Sequence, residues 1–576
     1  GTAIAGVGAG AFLITLLGNL IQMPDFASVL GAMIGLGVGI DYALFIITRV
    51  RESMHEGRSP EDAVADAMDT AGRAVMFAGV TVVVSLLGML TMGLAFVSGL
   101  GLGAAATVAM TMLASLTLLP AMLGFVDDRL EITRWRGLVA AGLVSVALLG
   151  AGLSLQPLLF AGPLAVLVLL VGSFWGPLKR PVQRRPEPDR KDTFWYRWSR
   201  VIQARPWRAA LGGTAILLLL SAPVLSLRLG FSDEGNFPAD TTTRQAYDLL
   251  AEGFGPGFNG PLIVAAEVGD PAGAAVLVPL ANAIAETPGV AFSTPPIPPD
   301  PTAAAPPPAA IIRVIPTTAP EDEATNDLVR TLREDVVPAA VGDASVEVYV
   351  TGFTASGIDF TDYLAGRLVI FFGAVLVLSF LLLMMVFRSV LVPLKAVIMN
   401  LLSISAAYGI VVAMFQWGWG LSVVGLDKGA PIEPFIPMML FAIVFGLSMD
   451  YEVFLLSRIK EEYDRTGDAV ESVADGLAAT ARVISAAAAI MVVVFGSFLF
   501  EPNRIVKMFG FGLATAVFLD ATFVRMLLVP ATMELLGERN WWLPKWLDRL
   551  LPDINVEGPA HHEPVETAEK KARSAA

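Results

Sequence analysis

Apolar runs of about 20 residues recur through most of the chain and constrain its fold more than any other feature. A helical run of this length matches the hydrocarbon width of a bilayer. Because lipid offers no hydrogen-bond partners, such runs form helices that satisfy their own backbone groups. We therefore predict an α-helical polytopic membrane protein. The predicted spans are 1–22, 28–48, 74–95, 98–125, 209–228, 364–387, 390–415, 434–457, 482–500 and 508–530.

Composition excludes several other classes of protein. Hydrophobic residues make up 55% of the chain, which is too many for an ordinary soluble protein of this length. There is no cysteine, and the only histidines are His55, His561 and His562, so no cofactor, metal or disulfide framework is predicted. No basic stripe with interleaved aromatic residues predicts nucleic-acid binding. No GxxxxGK[ST] motif occurs, so an ion gradient is the expected energy source.

Lysine and arginine in the short loops predict the orientation of the chain. Short loops rich in these residues face the cytoplasm. The segments 49–73, 179–208 and 458–482 carry several lysine and arginine residues and are therefore predicted to lie inside. The helix that carries Asp41 then runs from outside to inside. We predict a multi-pass plasma-membrane protein, with the polar stretch 229–363 outside the cytoplasm and the C-terminus inside.

The stretch 229–363 differs from the rest of the chain. It is polar, rich in Pro, Gly and acidic residues, and lacks a long apolar run. Its predicted elements follow the order βαββαβ, which is typical of a ferredoxin-like α+β domain. The strands are predicted at 262–267, 290–293, 310–315 and 346–351, the helices at 275–286 and 322–335, and a flexible loop at 295–310.

These segments define a predicted domain order. Residues 137–176 form two apolar runs separated by Gln156 and Pro157, and we interpret them as a helical hairpin that returns to the cytoplasm. An interfacial or re-entrant hairpin is the alternative. The predicted units are a first transmembrane bundle (1–126), a cytoplasmic linker with this hairpin (127–208), a transmembrane helix (209–228), the extracytoplasmic domain (229–363), a second transmembrane bundle (364–537), and an interfacial helix with a disordered cytoplasmic tail (538–576).

One short stretch occurs twice, which indicates an internal duplication. GVGIDYALFIITRVRE begins at Gly37 and GLSMDYEVFLLSRIKE begins at Gly446, a constant offset of 409 residues (450 − 41) between Asp41 and Asp450. Both aspartate helices are predicted to run in the same direction. The two bundles are therefore predicted to be parallel repeats, and transporters commonly place their ion sites at the interface of such repeats.

The matched residues predict a proton relay. A carboxylate at bilayer depth costs about 2.5–3.5 kcal/mol on the insertion scale, so it is seldom without a role. Asp41 is expected to pair with Tyr451, and Asp450 with Tyr42, while a glycine four residues before each aspartate permits close helix packing. An Asp–Tyr pair suits H⁺ better than Na⁺. The alternative is that these groups only join two helices by hydrogen bonds.

Four further residues have open interpretations. Phe45 and Phe454 follow the aspartates by four residues, on the same helix face and nearer the cytoplasm. They either seal the relay or simply pack. Asp520 and Arg525 lie in the last span, and they either join the proton path or form a structural charge pair.

Several motifs resemble one known family. The duplicated GxxxDY motif, the α+β insert, RQAYDLLAEGFGPGFNGPLIV (244–264) and LDATFVRMLLVPATMELLGERNWWLP (519–544) resemble the MmpL family of the RND superfamily. That resemblance implies twelve spans and two porter domains in a complete member. The chain is similar to such members from the third span onward, so we expect an N-terminally truncated protein that does not transport alone.

The resemblance also implies function. It implies export of lipids or other hydrophobic cargo in exchange for protons, with Asp41, Tyr42, Asp450 and Tyr451 as the relay. The expected partners are membrane lipids, hydrophobic cargo and protons. The oligomeric state, monomer or homotrimer, is left open. A lipid- or sterol-sensing relative and a protein-secretion accessory are the alternatives. An enzyme is not expected, because the sequence shows no nucleophile–base or metal cluster.

Overall fold

In the computed structural model, the described residues are 1–126, 135–152, 156–172, 175–180, 190–268, 271–298, 309–344 and 346–551. Most of the predicted loop 295–310 and the predicted disordered part of the tail lie outside these residues, as do parts of the linker 127–208. Within them the protein is mostly helical, with one small antiparallel sheet.

The first half is a bundle of long apolar helices. Small residues let its first and fifth helices pack closely. A Cβ on Gly6 would clash with Thr111, and a Cβ on Gly10 would clash with Thr107. The helices are α1 (Thr2–Leu17), α2 (Phe26–His55), α3 (Pro60–Ala67), α4 (Arg73–Leu87) and α5 (Ala95–Val126); a π-turn at Met68–Gly72 joins α3 to α4, and a 3₁₀ turn at Gly88–Met92 ends α4.

The two longest helices of the apolar hairpin pack on each other. Its residues are apolar all round, and many side chains, among them Phe160 and Leu170, are exposed. The second arm has only 11 residues, which gives a length of roughly 16 Å at 1.5 Å per residue. The hairpin consists of α6 (Trp135–Gly152), α7 (Gln156–Leu159), α8 (Ala161–Val171) and α9 (Gly176–Lys179), and α10 (Phe194–Ala204) and α11 (Pro206–Ser221) follow it.

The polar stretch 229–363 folds into a four-stranded sheet with helices on its face, and we call this unit the sheet domain. The strand order is β2-β3-β1-β4 and every pair is antiparallel. Buried side chains alternate along the central strand and pack on the helices. The elements are α12 (Thr242–Phe254), β1 (Leu262–Val268), α13 (Pro271–Ala285), β2 (Val290–Ser293), β3 (Ala309–Pro316), α14 (Glu323–Thr331), a π-turn (Leu332–Val336), α15 (Val337–Val341) and β4 (Val346–Thr351).

The second half is again a helical bundle, and it shares one continuous core with the first half. Its third helix is the most buried span, with 89% of its most apolar window inside the protein. The helices are α16 (Phe353–Phe387), α17 (Leu391–Val411), a π-turn (Val412–Gln416), α18 (Ile436–Thr466), α19 (Ala469–Ser497), α20 (Arg504–Leu519), a π-segment (Asp520–Leu528), α21 (Val529–Leu536) and α22 (Lys545–Asp548).

In the described part of the chain, nine helices are long and apolar enough to cross a membrane. The predicted first span, 1–22, is a helix of only 16 residues that ends at Leu17, before the polar Asn19. The other nine predicted spans each overlap one of these helices and extend beyond it by at most three residues.

Two helices begin well before their predicted spans. Helix α16 begins at Phe353, eleven residues before the prediction, directly after Gly352 turns the chain out of β4 with φ 112°. Helix α19 begins at Ala469 because Asp468 accepts hydrogen bonds from the backbone N–H groups of Val470 and Glu471. Both helices start earlier than predicted for the same reason. Their first turns contain polar residues and therefore lie outside the apolar run from which a span is predicted.

The two halves contact each other reciprocally. Helix α2 packs against α19, and α18 packs against α4. The offset of 409 residues relates α2 to α18 and α4 to the C-terminal part of α19, so each contact has its counterpart.

We expect Gly409→Val to weaken the packing of α11 on α17. A Cβ at Gly409 would lie 1.9 Å from the backbone oxygen of Leu220, so one helix has to move. Overpacking of this kind typically costs about 1–3 kcal/mol. The thermal unfolding midpoint in detergent should fall. Gly373→Val is the control, because a Cβ there meets no atom within 4 Å; an equal effect of both changes would contradict this packing.

Candidate functional site

The two glycines of the repeated motif face helices of the opposite half. A Cβ on Gly37 would lie 2.6 Å from the ring of Phe495 on α19. A Cβ on Gly446 would lie 2.9 Å from the Cα of Val82 on α4. Gly446 thus permits a close approach of the α4 backbone, whereas Gly37 leaves room for an aromatic side chain.

One of the two expected Asp–Tyr contacts is a direct hydrogen bond. The hydroxyl of Tyr42 donates to Oδ2 of Asp450 over 3.3 Å. The Oγ1 of Thr81 on α4 lies 3.4 Å from the other oxygen of Asp450. Two groups of the first half therefore surround the carboxyl of the second half.

Asp41 lies in the matching place but is less well paired. It is buried, and its Oδ1 has no hydrogen-bond partner among the described residues. Tyr451 faces it across the interface and interacts with it electrostatically. The hydroxyl of Tyr451 also lies 3.7 Å from Sδ of Met491. The structure thus brings all four predicted relay residues together, with one pair hydrogen-bonded more tightly than the other.

Phe45 and Phe454 contact each other next to this cluster. Their ring centroids are 4.3 Å apart, with the rings nearly perpendicular, and Phe45 also lies 6.1 Å from the ring of Tyr451. They meet one helical turn beyond the aspartates along α2 and α18. An apolar contact therefore closes the cluster at that end.

Asp520 and Arg525 form a buried ion pair. The Nε of Arg525 lies 2.8 Å from Oδ2 of Asp520, and both side chains are almost fully buried. The two residues stand five apart in the π-segment Asp520–Leu528. A π-helix aligns residues i and i+5, whereas an α-helix turns them apart, so this local widening creates the pair. Both readings left open by the sequence remain compatible with it.

The ion pair is connected to the relay through Ser448 and Tyr451. Ser448 Oγ lies 2.8 Å from Asp520 Oδ1, and Arg525 donates to the backbone oxygen of Ser448. The guanidinium carbon of Arg525 is 5.1 Å from the centre of the Tyr451 ring, in cation–π geometry. Ser448, Tyr451 and Asp520 line part of a cavity of about 10 Å³. That volume is close to the minimum for one water molecule.

Sequence reasoning missed a second pair of buried charges. Glu452 follows the second Asp–Tyr pair directly, where the first copy has Ala43. It is 1% exposed, and neither of its oxygens has a hydrogen-bond partner among the described residues. Lys395 on α17 is also buried, its Nζ has no hydrogen-bond partner in the described part of the chain, and it interacts electrostatically with Glu452. Both residues could have been noticed in the sequence, because Lys395 and Glu452 are charged residues within predicted apolar spans.

The arrangement suits proton exchange. Carboxyl, phenol and hydroxyl groups of both halves lie within hydrogen-bond reach in an apolar interior, and an arginine stands nearby to compensate a carboxylate charge. Coupled acids at such a site titrate as a group rather than singly. Among the described residues, no cluster of three or more His, Cys, Asp or Glu could hold a metal ion.

Comparison with known proteins identifies one family. The model of the MMPL family matches residues 1–209 and 272–551. The match includes both copies of the Asp–Tyr motif, the hairpin and most of the sheet domain.

Three curated relatives align with nearly the whole chain. Membrane protein YdfJ of Bacillus subtilis is 36% identical over 97% of this chain and 69% of its own length. The mycolic acid-containing lipids exporter MmpL11 of Mycolicibacterium smegmatis is 32% identical over 95% of this chain and 52% of its own. The heme uptake protein MmpL11 of Mycobacterium tuberculosis is 34% identical, with the same coverage. The chain thus spans about half the length of the MmpL11 proteins.

One solved structure aligns with most of the chain at low sequence identity. SecDF of Thermus thermophilus, a translocon-associated membrane protein, aligns with 93% of this chain and 58% of its own, with a TM-score of 0.49 and 14% identity.

We expect a double-mutant cycle to show strong coupling between Asp520 and Arg525. Removal of one partner of a buried ion pair typically costs about 3–5 kcal/mol, because the other charge remains buried and unpaired. Asp520→Asn and Arg525→Met should each lower the unfolding midpoint, and the double variant should lose less than the sum. Thermal unfolding in detergent measures this.

The exposed pair of Arg330 and Asp327 provides the control, since exposed pairs contribute about 0–1 kcal/mol. Additive losses at Asp520 and Arg525, like those expected at the control pair, would contradict a tightly coupled buried pair.

Proposed function

Because the chain belongs to the MMPL family, we propose that it acts in proton-driven export of lipids or other hydrophobic molecules across the plasma membrane. The observation that carries this proposal is the contact between Tyr42 and Asp450. It places an ionisable group of one half against a hydrogen-bond donor of the other, inside the apolar core. A group in that position can change the fit between the two halves when it gains or loses a proton.

The proposed relay uses the residues in a defined order. Asp41 and Asp450 take protons from the outer side, and the phenols of Tyr42 and Tyr451 hold them between the two halves. Neutral carboxyls let α2 and α18 pack closely, whereas a carboxylate needs a compensating charge. Arg525 supplies that charge beside Tyr451. Proton release toward the cytoplasm then restores the first arrangement.

The two phenylalanines are proposed to close the path on the cytoplasmic side. Their perpendicular contact fills the space one turn beyond the aspartates with apolar rings, which exclude water. A leak of protons without transport would waste the gradient, so a closed inner end is useful to such a device.

The proposed movement involves the two repeats and the sheet domain. The reciprocal contacts of α2 with α19 and of α18 with α4 support two parallel repeats that rock against each other. The βαββαβ order and the antiparallel strand order support a ferredoxin-like porter domain outside the cytoplasm. Strand β4 ends at Thr351 and helix α16 starts at Phe353, with only Gly352 between them, so the sheet domain is joined directly to a span.

Lipids are the proposed cargo class, and the relatives support it. The MmpL11 protein of Mycolicibacterium smegmatis is named as an exporter of mycolic acid-containing lipids. The MmpL11 protein of Mycobacterium tuberculosis is named for heme uptake, so a porphyrin is the second candidate.

The substitutions Asp41→Asn and Asp450→Asn should each abolish transport in the complete gene product. Asparagine keeps the size of the side chain but cannot bind and release a proton. Transport of extracted lipid by inverted vesicles under an imposed proton gradient measures the effect, and expression and thermal stability serve as controls for folding. Asp62→Asn, at the exposed N-terminus of α3, should transport normally. Full transport by both interior variants would rule out the relay.

The cargo should be found with the purified complete protein. Native mass spectrometry and lipidomics of the protein in nanodiscs should show an enriched lipid that the Asp450→Asn variant retains but does not transport. Enrichment of a porphyrin would favour uptake of heme instead. Ligand binding that is unaffected by either aspartate, with no gradient-dependent transport, would favour a lipid-sensing relative. Loss of protein secretion on deletion would favour a secretion accessory.

A further inference from the structure

The connector that leads from α11 into the sheet domain is fixed to the second bundle by backbone contacts. The N–H of Gly230 donates to the oxygen of Ile432 over 3.0 Å, and the N–H of Ile432 donates to the oxygen of Arg228 over 2.9 Å. Gln416, the last residue of the π-turn that follows α17, accepts from the N–H of Arg228 and donates to the oxygen of Ser226. Connector residues 226–236 and loop 416–435 therefore form one unit.

Lys428 lies at the centre of this unit and joins it to the sheet domain. Its Nζ is 2.8 Å from Oε1 of Glu321 and 3.9 Å from Oδ1 of Asp233. Glu321 belongs to the loop between β3 and α14, and Asp233 belongs to the connector. One ammonium group thus holds three segments, and we call Lys428, Glu321 and Asp233 the Lys428 bridge.

The carboxylates of the bridge are held in place by further groups. The hydroxyl of Tyr247 donates to Oδ2 of Asp233 over 2.6 Å, and Asn236 donates to both Asp233 and Glu321. Burial and the hydrogen bond to Asp233 raise the pKa of Tyr247 above its ordinary value, so this phenol remains a donor. Both carboxylates are nearly buried, while the side chain of Lys428 is 40% exposed, so the carboxylates are the fixed part of the bridge.

A second contact connects the bridge to the membrane interior. Arg504, the first residue of α20, donates to the backbone oxygens of Lys428, Phe415 and Ala430. Its guanidinium is buried, so the loop that carries Lys428 cannot shift without moving the start of α20. The other end of α20 leads directly into the π-segment with Asp520. A helix of 16 residues spans roughly 24 Å as one stiff element.

We propose that Lys428 is a positioning residue that couples the sheet domain to the proton relay. The path runs from Asp520, which touches Ser448 beside Asp450, along α20 to Arg504, then through Lys428 to Glu321 and Asp233. A displacement of α20 on proton transfer is passed to the sheet domain because the bridge is closed. The inference rests on the proposed function for its transport readout, but not for its structural readout.

The structural test asks whether the relay and the sheet domain communicate through Lys428. Hydrogen exchange is measured in the full chain in nanodiscs, with Asp450→Asn as the mimic of the protonated state. This substitution should change the exchange of residues 317–322, in the loop that carries Glu321. In the Lys428→Met background the same substitution should leave their exchange unchanged. An identical response in both backgrounds would overturn the proposal, whether or not the protein exports lipid.

The transport test uses the complete gene product. Lys428→Met should lower lipid transport by about tenfold, within the usual range of coupling between sites, while Lys428→Arg should retain most of it. Arg330→Met, which breaks an exposed ion pair of the same domain, is the matched control and should leave transport unchanged. Transport by Lys428→Met at the wild-type rate would overturn the proposal. If this variant does not fold, Glu321→Gln tests the same bridge from its other side.

A reversible cross-link distinguishes a permanent connection from a gate. The given sequence contains no cysteine, so Glu321→Cys and Lys428→Cys are its only thiols, and any cysteine elsewhere in the complete gene product is first replaced by serine. A short reducible bis-methanethiosulfonate linker replaces the bridge by a covalent one. The linked protein should transport, and reduction that releases the linker should lower transport as in Lys428→Met. Inactivity of the linked protein with recovery on reduction would show a contact that has to open, and would overturn the proposal.

Discussion

The structure depends on the burial of two carboxyl groups between two halves of an apolar bundle. An isolated carboxylate is costly at this depth, so each has to find partners or bind a proton. Asp450 finds Tyr42 and Thr81 of the other half, and Asp41 faces Tyr451. The contacts cross the interface between the halves, so the protonation state of these groups and the relative position of the halves depend on each other.

The surrounding residues are arranged around this requirement. Glycines at 37 and 446 remove the side chains that would keep the opposing helices apart. The π-segment turns Arg525 toward Asp520, and this fixed pair places a positive charge beside Tyr451. Outside the bundle, Arg504 and Lys428 form a continuous series of polar contacts from α20 to the sheet domain. The same helix therefore touches both the acid cluster and the support of the sheet domain.

Much of this was predictable from the sequence, because the strongest signals are local. Apolar runs located nine of the ten predicted spans, and the repeated Asp–Tyr motif located the four central residues. The predicted strands of the polar stretch agree with the observed ones within one residue at each end. In each case a short periodic or repeated pattern corresponds to one element of the fold.

The missed features depend on contacts between distant segments or on irregular backbone. Helices α16 and α19 extend beyond their hydropathy signal because water-facing residues continue them. The pairing of Asp520 with Arg525 requires a π-turn, which no pattern in the sequence marked. Lys428 lies in the loop 416–435, and its contact with Glu321, more than 100 residues earlier, is visible only in the folded chain.

Infrared difference spectroscopy across a pH titration of the purified protein tests the central claim most directly. If Asp41 and Asp450 exchange protons inside the bundle, a carboxylic-acid band from a dry environment should appear and disappear with pH. Asp41→Asn and Asp450→Asn should each remove part of that band and shift the rest, because the two groups titrate together. A spectrum without such a band, or a band that both substitutions leave unchanged, would contradict a proton relay at this site.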